Sequence, residues 1–485
     1  MSGDSRAIRS ICVAGSGIVG LSAALAFARA LPQSRVSILE TPADEAALAD
    51  RPLGSLPAIH RFHAAIGLDE LELVRSGAAT HLLGTRFDHW SASGEPWFHA
   101  FGDHGIPAGD VPFHSVWLAA HARGQALAFH RHAPAAVLAA AGKFSHPSRD
   151  PNSPLANFLY GLRLDPLRYR ERLERAAAPL PRERGSIADV ERREDGGIAS
   201  LLLEGGGRVE ADLFLDCTGP AALLASRLDP AFEDWSEWLP FDRLAVRTEP
   251  AQQLVPFDRV TGTAAGWSLS AALPDRTMIV EAFSSAFADA APTGERIAIR
   301  SGCRPSPWTA NVLALGDAAV AVDPLHATNL HLAQSAILRA LELLPGHDFH
   351  PLELREYNRR SEQEASAVRD FLALHYLRSG RRDSPFWSAM AERGPPATLH
   401  RTIEQFERRG RLPRFEEESF DKHSWTAALI GLGVIPQGVD PLAAGVNPDK
   451  ASSAMASLAA QLEGHAERVL PYPDMLARMK APSSR

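Results

Sequence analysis

The sequence is poor in cysteine and contains no long apolar run. Its 485 residues include three cysteines, Cys12, Cys217 and Cys303, whose spacing fits neither a disulfide framework nor a metal site. No stretch reaches the roughly 18 consecutive apolar residues of a membrane helix. The opening MSGDSRAIRS lacks the apolar segment of a secretory signal. These absences predict a cytoplasmic protein without a membrane partner.

The sequence also has no large excess of positive or negative charge. The formal net charge is −8 and the pI is near 6.2, and no extended basic patch occurs. Nucleic acid is therefore not an expected partner. Apolar residues make up 45% and charged residues 22% of the chain, which is typical of a globular protein with a sizeable core. No metal site is expected, since no ligand spacing is present.

A glycine-rich motif follows the first apolar run. Residues 11–14 (ICVA) predict a buried strand, GSGIVG follows at once, and an Ala-rich helix leads to a second strand ending at Glu40. This context is the one that a dinucleotide-binding fingerprint requires, because the glycines let the backbone approach a pyrophosphate at a helix N-terminus. The residues predicted to contact the dinucleotide here are Gly15, Gly17, Ile18, Val19, Gly20 and Glu40.

Two later segments indicate which dinucleotide. A strand at 213–217 runs into Gly219, and another ends at Gly316 and Asp317. An Asp after such a glycine can bond the ribityl hydroxyls of a flavin. Three separated binding segments favour FAD, a ligand long enough to lie across the sheet. Only one G-x-G-x-x-G is present, so a tightly bound NAD(P)H is not expected and reducing equivalents come from elsewhere.

With these motifs, the sequence resembles the flavin-dependent tryptophan halogenases over nearly its whole length. The resemblance is carried by AAGWSLSAALPDRTMIVEAFSS (264–285), GDAAVAVDPLHATNLHLAQSA (316–336) and EYNRRSEQEASAVRDFLALHYLRSGRRDSPFW (356–387). It implies FAD, an aromatic substrate and a separate NAD(P)H-dependent flavin reductase. It also implies a flavin hydroperoxide that a halide attacks, and a lysine and a glutamate that steer the hypohalous acid formed.

The sequence departs from this family where the halogen is handled. The family's lysine position is Leu82, and its glutamate position is His326. Leu has no amine to form a haloamine, and His exchanges protons without supplying a permanent negative charge. Asn329 stands at the halide-site glycine and is expected to preserve a left-handed loop, while Thr328 is retained. The Trp-x-Trp-x-Ile-Pro signature keeps only Trp267.

Several roles follow from the resemblance. His326 is interpreted as a structural histidine, as a proton donor or acceptor, or as a substitute for the glutamate, and His81 is placed in the same cavity as a second catalytic candidate. Further predicted flavin contacts are Gly219, Gly316, Asp317, Thr328, Asn329 and Leu330. Predicted substrate contacts are Trp267, Tyr376, Phe386 and Trp387, with simple core packing as the alternative.

The expected fold is α/β: a Rossmann-like, three-layer FAD-binding domain with a second β-sheet layer and a helical C-terminal subdomain. The predicted domains are an FAD-binding domain at 1–100, 165–235 and 305–345, substrate-side sheet and loops at 101–164 and 236–304, and helices at 346–485. A helix is predicted over 116–141, and a last helix after GVNPDKASS.

The predicted function is an FAD-dependent oxidoreductase of the halogenase type that acts on an aromatic substrate but does not halogenate efficiently. A non-halogenating flavin monooxygenase or oxidase is the first alternative. A catalytically inactive FAD-binding sensor or partner protein is the second. The sequence leaves a homodimer open.

Overall fold

The fold is known from a computed structural model that describes residues 7–413 and 419–480. Short strands alternate with helices in its first part. In chain order the strands are β1 (Ser10–Ala14), β2 (Arg35–Glu40), β3 (Ala79–Leu82), β4 (Gly84–Asp88), β5 (Trp97–Ala100), β6 (Gly161–Leu164), β7 (Arg182–Arg184), β8 (Ile187–Arg192), β9 (Ile198–Leu203), β10 (Arg208–Glu210), β11 (Leu213–Asp216), β12 (Glu233–Asp234), β13 (Arg243–Pro250), β14 (Asp258–Gly262), β15 (Gly266–Ala272), β16 (Arg276–Phe283), β17 (Glu295–Ala298), β18 (Gly302–Cys303), β19 (Trp308–Thr309), β20 (Val312–Ala314) and β21 (Val320–Ala321).

The helices become longer towards the C-terminus. They are α1 (Ile18–Ala30), α2 (Ile59–Ile66), α3 (Glu70–Arg75), α4 (Phe113–His121), α5 (Pro134–Ala140), α6 (Pro166–Ala177), α7 (Ala225–Leu228), α8 (Thr328–Glu342), α9 (Pro351–Leu377), α10 (Pro385–Glu392), α11 (Ala397–Arg409), α12 (Lys422–Gly431), α13 (Pro441–Ala444), α14 (Pro448–Arg468) and α15 (Tyr472–Lys480). No helix in the described ranges is both long enough and apolar enough to cross a bilayer.

The described chain divides into two compact units, each built from three chain segments. The first unit takes residues 7–79, 164–237 and 297–366. The second takes residues 80–163 and 238–296 together with everything described from 367 onward. The chain passes back and forth between the units, so neither corresponds to one continuous stretch of sequence.

A largely parallel sheet forms the centre of the first unit. Its strand order is β19-β20-β11-β1-β2-β7, and β1 pairs in parallel with both β2 and β11. The middle strands are apolar on both faces because the sheet is covered on both sides, as a parallel sheet requires. Helices α6 and α8 pack against α1. An antiparallel set, β8 to β10, adds apolar side chains such as Leu201 to the core around Phe214.

The second unit contains a mainly antiparallel sheet. Its order is β17-β13-β16-β15-β14-β4-β5; the β14–β4 pairing is parallel, and the pairings from β13 to β14 and of β4 with β5 are antiparallel. Alternating apolar and polar residues along β13 to β16 fit one buried and one more accessible face. The structure thus confirms the predicted mixed α/β class with a second sheet and a helical C-terminal part.

Two helix predictions need correction. The helix expected over 116–141 is broken: α4 ends at His121, Gly124 has a φ of +71°, and α5 begins with Pro134. A left-handed glycine followed by a proline cannot continue a helix. The helix expected after GVNPDKASS begins within it, because Asn447 caps α14 and Pro448 is its first residue, and a further helix, α15, follows. The 27-residue helix α9 lies within the predicted helical part at 346–485.

Candidate functional site

The glycine loop after β1 holds the backbone where no side chain fits. Gly15 has a φ of +111°, and a β-carbon there would lie 2.3 Å from the carbonyl oxygen of Cys217. A β-carbon on Gly20 would lie 2.1 Å from the carbonyl oxygen of Gly15. Both obstacles are backbone atoms, which cannot rotate away. These two glycines therefore allow α1 to start directly against the strand ends.

The N-terminus of α1 is occupied by a carboxylate from another segment. Asp50 Oδ1 accepts a hydrogen bond from the Val19 backbone N–H at 2.8 Å. A β-carbon on Gly17 would lie 1.8 Å from Asp50 Oδ2, so this glycine provides the space that the carboxylate uses. Burial raises the pKa of Asp50 to about 6. Sequence reasoning missed Asp50, although the acidic segment ADEAALAD after β2 was the available signal.

Glu40, at the end of β2, lies beside an open pocket. Its two carboxylate oxygens receive hydrogen bonds from Arg184 at 2.6 Å and from Arg182 at 3.0 Å. These hydrogen bonds, from Arg184 first and Arg182 second, lower the pKa of Glu40. The pocket has a volume of about 320 Å³ and is lined by Ser16, Glu40, Thr41, Pro42, Arg184, Gly185 and Ser186. It lies at the carboxyl ends of β1 and β2, where open α/β sheets bind their ligands.

The other two predicted glycines also follow strands. Gly219 comes after β11 with a φ of +75°, and Gly316 comes after β20 with a φ of +61°. Both conformations are easily reached only by glycine. A β-carbon on Gly316 would lie 3.0 Å from Val19, so the loop after β20 lies against the start of α1. The three glycine segments predicted from the sequence are therefore brought together at one edge of the sheet.

Asp317 is buried beside the segment that carries Asp50. Its Oδ2 accepts a hydrogen bond from the Ala49 backbone N–H at 2.8 Å. Its Oδ1 is buried and has no hydrogen-bond partner among the residues the structure describes. Burial raises the pKa of Asp317 to about 7. An unpaired buried carboxylate oxygen is costly, so this atom is suited to accept hydrogen bonds from a ligand hydroxyl.

The loop before α8 is left-handed at two residues that are not glycine. His326 has a φ of 62° and Ala327 a φ of 55°. Asn329 instead lies inside α8, and its amide closes the loop by pairing with both backbone groups of Val322, at 3.0 and 2.9 Å. The expectation that Asn329 preserves the loop by its own left-handed backbone is therefore replaced by a side-chain clamp. Strained non-glycine residues of this kind concentrate at functional loops.

The first residue of α8 also has an unused polar group. The Thr328 hydroxyl is buried and has no hydrogen-bond partner within the described residues. The helix begins here without a side-chain cap. Leu330, one turn in, is buried. A helix N-terminus with a free hydroxyl is suited to an anion or to a polar ligand atom.

In the second unit, Leu82 and His81 point in opposite directions. They are neighbours on β3, and successive side chains of a strand face opposite sides. Leu82 is buried and apolar. His81 is stacked on Phe144, and its backbone N–H and Nδ1 both lie within hydrogen-bonding distance of the Tyr472 hydroxyl, at 2.6 and 3.1 Å. The structure therefore does not bring His81 and Leu82 into one cavity.

The four predicted substrate contacts lie in an aromatic cluster of the second unit. Trp267, Tyr376, Phe386 and Trp387 are each 0% exposed. Phe241 lies between them, with its ring centroid 4.9 Å from that of Tyr376 and 5.4 Å from that of Phe386. Trp387 Nε1 donates to the Thr263 carbonyl at 2.7 Å. These contacts favour the packing alternative for Tyr376, Phe386 and Trp387.

Trp267 differs from its neighbours in one respect. Its indole N–H is buried and has no hydrogen-bond partner among residues 7–413 and 419–480. Buried indole N–H groups usually find an acceptor. Trp267 is therefore the member of this cluster with a donor still available to a ligand.

The first unit has the features that a flavin dinucleotide requires. A glycine turn opens onto a helix N-terminus, a carboxylate ends the second strand beside a pocket, and Asp317 offers a free buried oxygen. These groups fit a pyrophosphate, a ribose and a ribityl chain respectively. The fold and the site define a Rossmann-type dinucleotide-binding α/β protein.

Comparison with known proteins narrows this class. The profile of the family described as tryptophan halogenase matches residues 10–448. BrvH, a flavin-dependent halogenase from Brevundimonas sp. BAL3, is 31% identical and superimposes with a TM-score of 0.91 over 98% of this chain and 100% of its own. Xcc4156, a flavin-dependent halogenase from Xanthomonas campestris, is 30% identical with a TM-score of 0.91 over 99% and 100%. Tryptophan 7-halogenase KtzQ of Kutzneria sp. (strain 744) is 24% identical over 90% of this chain and 91% of its own.

The chain therefore belongs to the tryptophan halogenase family. The family resemblance read from the sequence is confirmed.

Proposed function

We propose that this protein is an FAD-dependent oxidoreductase that acts on an aromatic substrate without efficient halogenation. Its family and its dinucleotide site support FAD as the cofactor. The proposal that halogenation is inefficient rests on Leu82, a buried aliphatic side chain at the position where the family resemblance requires a lysine amine. A separate NAD(P)H-dependent reductase supplies reduced flavin, and the cytoplasm is where such a reductase is available.

The first unit provides the groups that hold and orient the cofactor. Gly15 and Gly20 give the pyrophosphate access to the backbone, Glu40 receives the adenosine ribose, and Asp317 accepts from the ribityl chain. When bound, FAD supplies the activation of dioxygen, which the protein's own side chains cannot perform. Thr328 offers its buried hydroxyl at the start of α8 to a polar atom of the cofactor or to an anion.

Leu82 stands at the position where the family resemblance places the amine that captures a halogen oxidant. An alkyl side chain neither forms an N–halogen bond nor donates a hydrogen bond. His326, in a left-handed loop, replaces a permanent carboxylate by a group that is neutral or cationic near neutral pH. It is suited to proton exchange with a substrate or an oxidant. Electrophilic halogenation, which would need an amine in place of Leu82 and a carboxylate in place of His326, is therefore not supported.

A flavin monooxygenase or oxidase is the second candidate function. The presence of Leu82 and His326 in place of the family's lysine and glutamate favours this function, because direct oxygen chemistry at the flavin needs neither residue. Trp267, with its free indole N–H, is suited to hold a polar substituent of an aromatic substrate in that case.

The test is a turnover experiment with purified protein, a flavin reductase, NADH, FAD, bromide and indole-type substrates. We expect oxygen uptake that requires FAD and is the same with and without bromide, and no rapid formation of a brominated product by mass spectrometry. An oxygenated product would select the monooxygenase. Oxygen uptake no faster than that of free reduced flavin would select a sensor or partner protein. Rapid bromination by the wild-type protein would contradict the proposal.

A further inference from the structure

The phosphate-binding end of α1 is already capped by the protein itself. We infer that Asp50 is an internal competitor of the cofactor, occupying the pyrophosphate position at the start of α1 until FAD displaces it. The inference rests on the proposed function and concerns how that function is regulated.

The contacts of Asp50 are those expected of a bound phosphate. Its carboxylate accepts a hydrogen bond from the backbone N–H of Val19 at 2.8 Å, and the neighbouring N–H of Ile18 also acts to lower its pKa. These are the first free donors of the helix, where the helix dipole favours negative charge. It also fills the space left by the missing side chain of Gly17. A pyrophosphate that used the same donors would have to remove the carboxylate first.

The segment that carries Asp50 is short, and it packs against α8 and the turn after β20 as well as against α1. It is a single 3₁₀ turn, Leu48–Asp50, and its Ala49 N–H donates to Asp317 at 2.8 Å. Asp317 is also the residue proposed to accept from the ribityl chain. The segment uses Asp317 Oδ2 and the ribityl chain is proposed to use the unpaired Oδ1, so both can be held by Asp317 at once. Cofactor and segment compete only for the backbone N–H groups at the start of α1.

The charged groups around Asp50 do not balance its negative charge. Arg170 and Asp44 affect the pKa of Asp50, and Asp50 affects the pKa values of Asp317 and Cys217. Arg170 is the one cation of this set, and its guanidinium donates to the Ser16 carbonyl at 3.1 Å. Burial is the largest cause that raises the pKa of both Asp317 and Asp50, and nearby negative charge adds to it, from Asp50 on Asp317 and from Asp44 on Asp50. A capping segment that is held against charge repulsion is easier to displace.

Substitution of Asp50 tests the inference by two readouts other than activity. Because a competitor lowers apparent affinity in proportion to the fraction of sites it blocks, Asp50→Ala is expected to bind FAD about tenfold more tightly than wild type in flavin fluorescence titrations. Without FAD, the same variant is expected to unfold at a lower temperature, since the α1 N–H groups lose their cap. Saturating FAD should remove this deficit.

A comparison of two charge-removing variants tests whether FAD binding depends on the carboxylate of Asp50 itself or only on the loss of one negative charge nearby. Asp50→Asn and Glu45→Gln each remove one carboxylate from the stretch between β2 and α2, but Glu45 is exposed. Asp50→Asn is expected to tighten FAD binding, and Glu45→Gln to leave it within about twofold. Equal tightening in Glu45→Gln, or unchanged or weaker binding in both Asp50 variants, would overturn the inference while leaving the proposed function intact. Absence of FAD binding in wild type and all variants would instead contradict the proposed function.

Discussion

Replacing Gly15 with alanine is expected to abolish FAD uptake and to lower the free energy of unfolding by about 2–5 kcal/mol. The φ of +111° is one that an L-residue rarely adopts, and the new β-carbon would meet the Cys217 carbonyl oxygen at 2.3 Å. The strained residue directly follows β1, and the new β-carbon would clash with the backbone directly after β11. Relief would separate the glycine loop from the sheet edge, and the phosphate-binding geometry would be lost with it.

Gly205→Ala is the matched control for this substitution. Gly205 lies in the turn between β9 and β10, and a β-carbon there would meet no atom within 4 Å. We expect this variant to unfold in guanidinium at the same midpoint as wild type and to take up FAD normally. A Gly15→Ala protein that matched Gly205→Ala in both stability and FAD uptake would contradict the role given to the glycine turn.

Replacing Arg163 with methionine is expected to destabilise the second unit by about 3–5 kcal/mol, because it leaves a buried carboxylate without its cation. Arg163 is 0% exposed, and its Nε donates to Asp258 Oδ1 at 2.7 Å. The rest of the guanidinium donates to the carbonyls of Val255, Phe257 and Ala272. One side chain therefore ties β6 to β14 and to the end of β15.

The loss in Arg163→Met is expected to depend on pH. Burial already raises the pKa of Asp258 in the wild-type protein, and removal of the guanidinium raises it further. A group whose pKa is higher in the folded state stabilises below its unfolded pKa, and this contribution is lost as pH rises through the folded value. The deficit relative to wild type should therefore be largest at neutral pH and shrink on acidification.

Guanidinium unfolding followed by tryptophan fluorescence measures this effect across pH. Arg382→Met is the matched control, because Arg382 forms an ion pair with Glu392 at 3.6 Å in which both side chains are largely exposed. Its effect should stay within about 0.5 kcal/mol. A loss in Arg163→Met no larger than in this control would show that the buried ion pair does not hold the second sheet.

The parts of the fold that were predictable are those encoded locally. The glycine turn, the strand ending at Glu40 and the glycines at 219 and 316 are each specified by a few adjacent residues, because a positive φ or a close backbone approach demands glycine. The long helix α9 has no proline after its first residue, and in its second half Val368, Phe371 and Leu372 recur at three and four positions. Such signals are independent of what the rest of the chain does.

What escaped prediction depends on contacts between distant segments. Asp50 is 31 residues from Val19, and only the folded sheet edge brings its carboxylate to the α1 N-terminus. The amide of Asn329 holds Val322 through its side chain, whereas its residue type suggested a backbone role. His81 and Leu82 are adjacent in sequence, yet the pleat of β3 turns them to opposite faces. Residue type and spacing do not determine these partners.

The central claim is that this chain retains a binding site for FAD while lacking the lysine and the glutamate that steer a halogen oxidant in its family. The most direct measurement is a calorimetric titration of the purified wild-type protein with FAD in its oxidised form and in its reduced form under anaerobic conditions. We predict saturable binding of one FAD per chain in at least one redox form. Absence of binding heat in both forms would contradict the account.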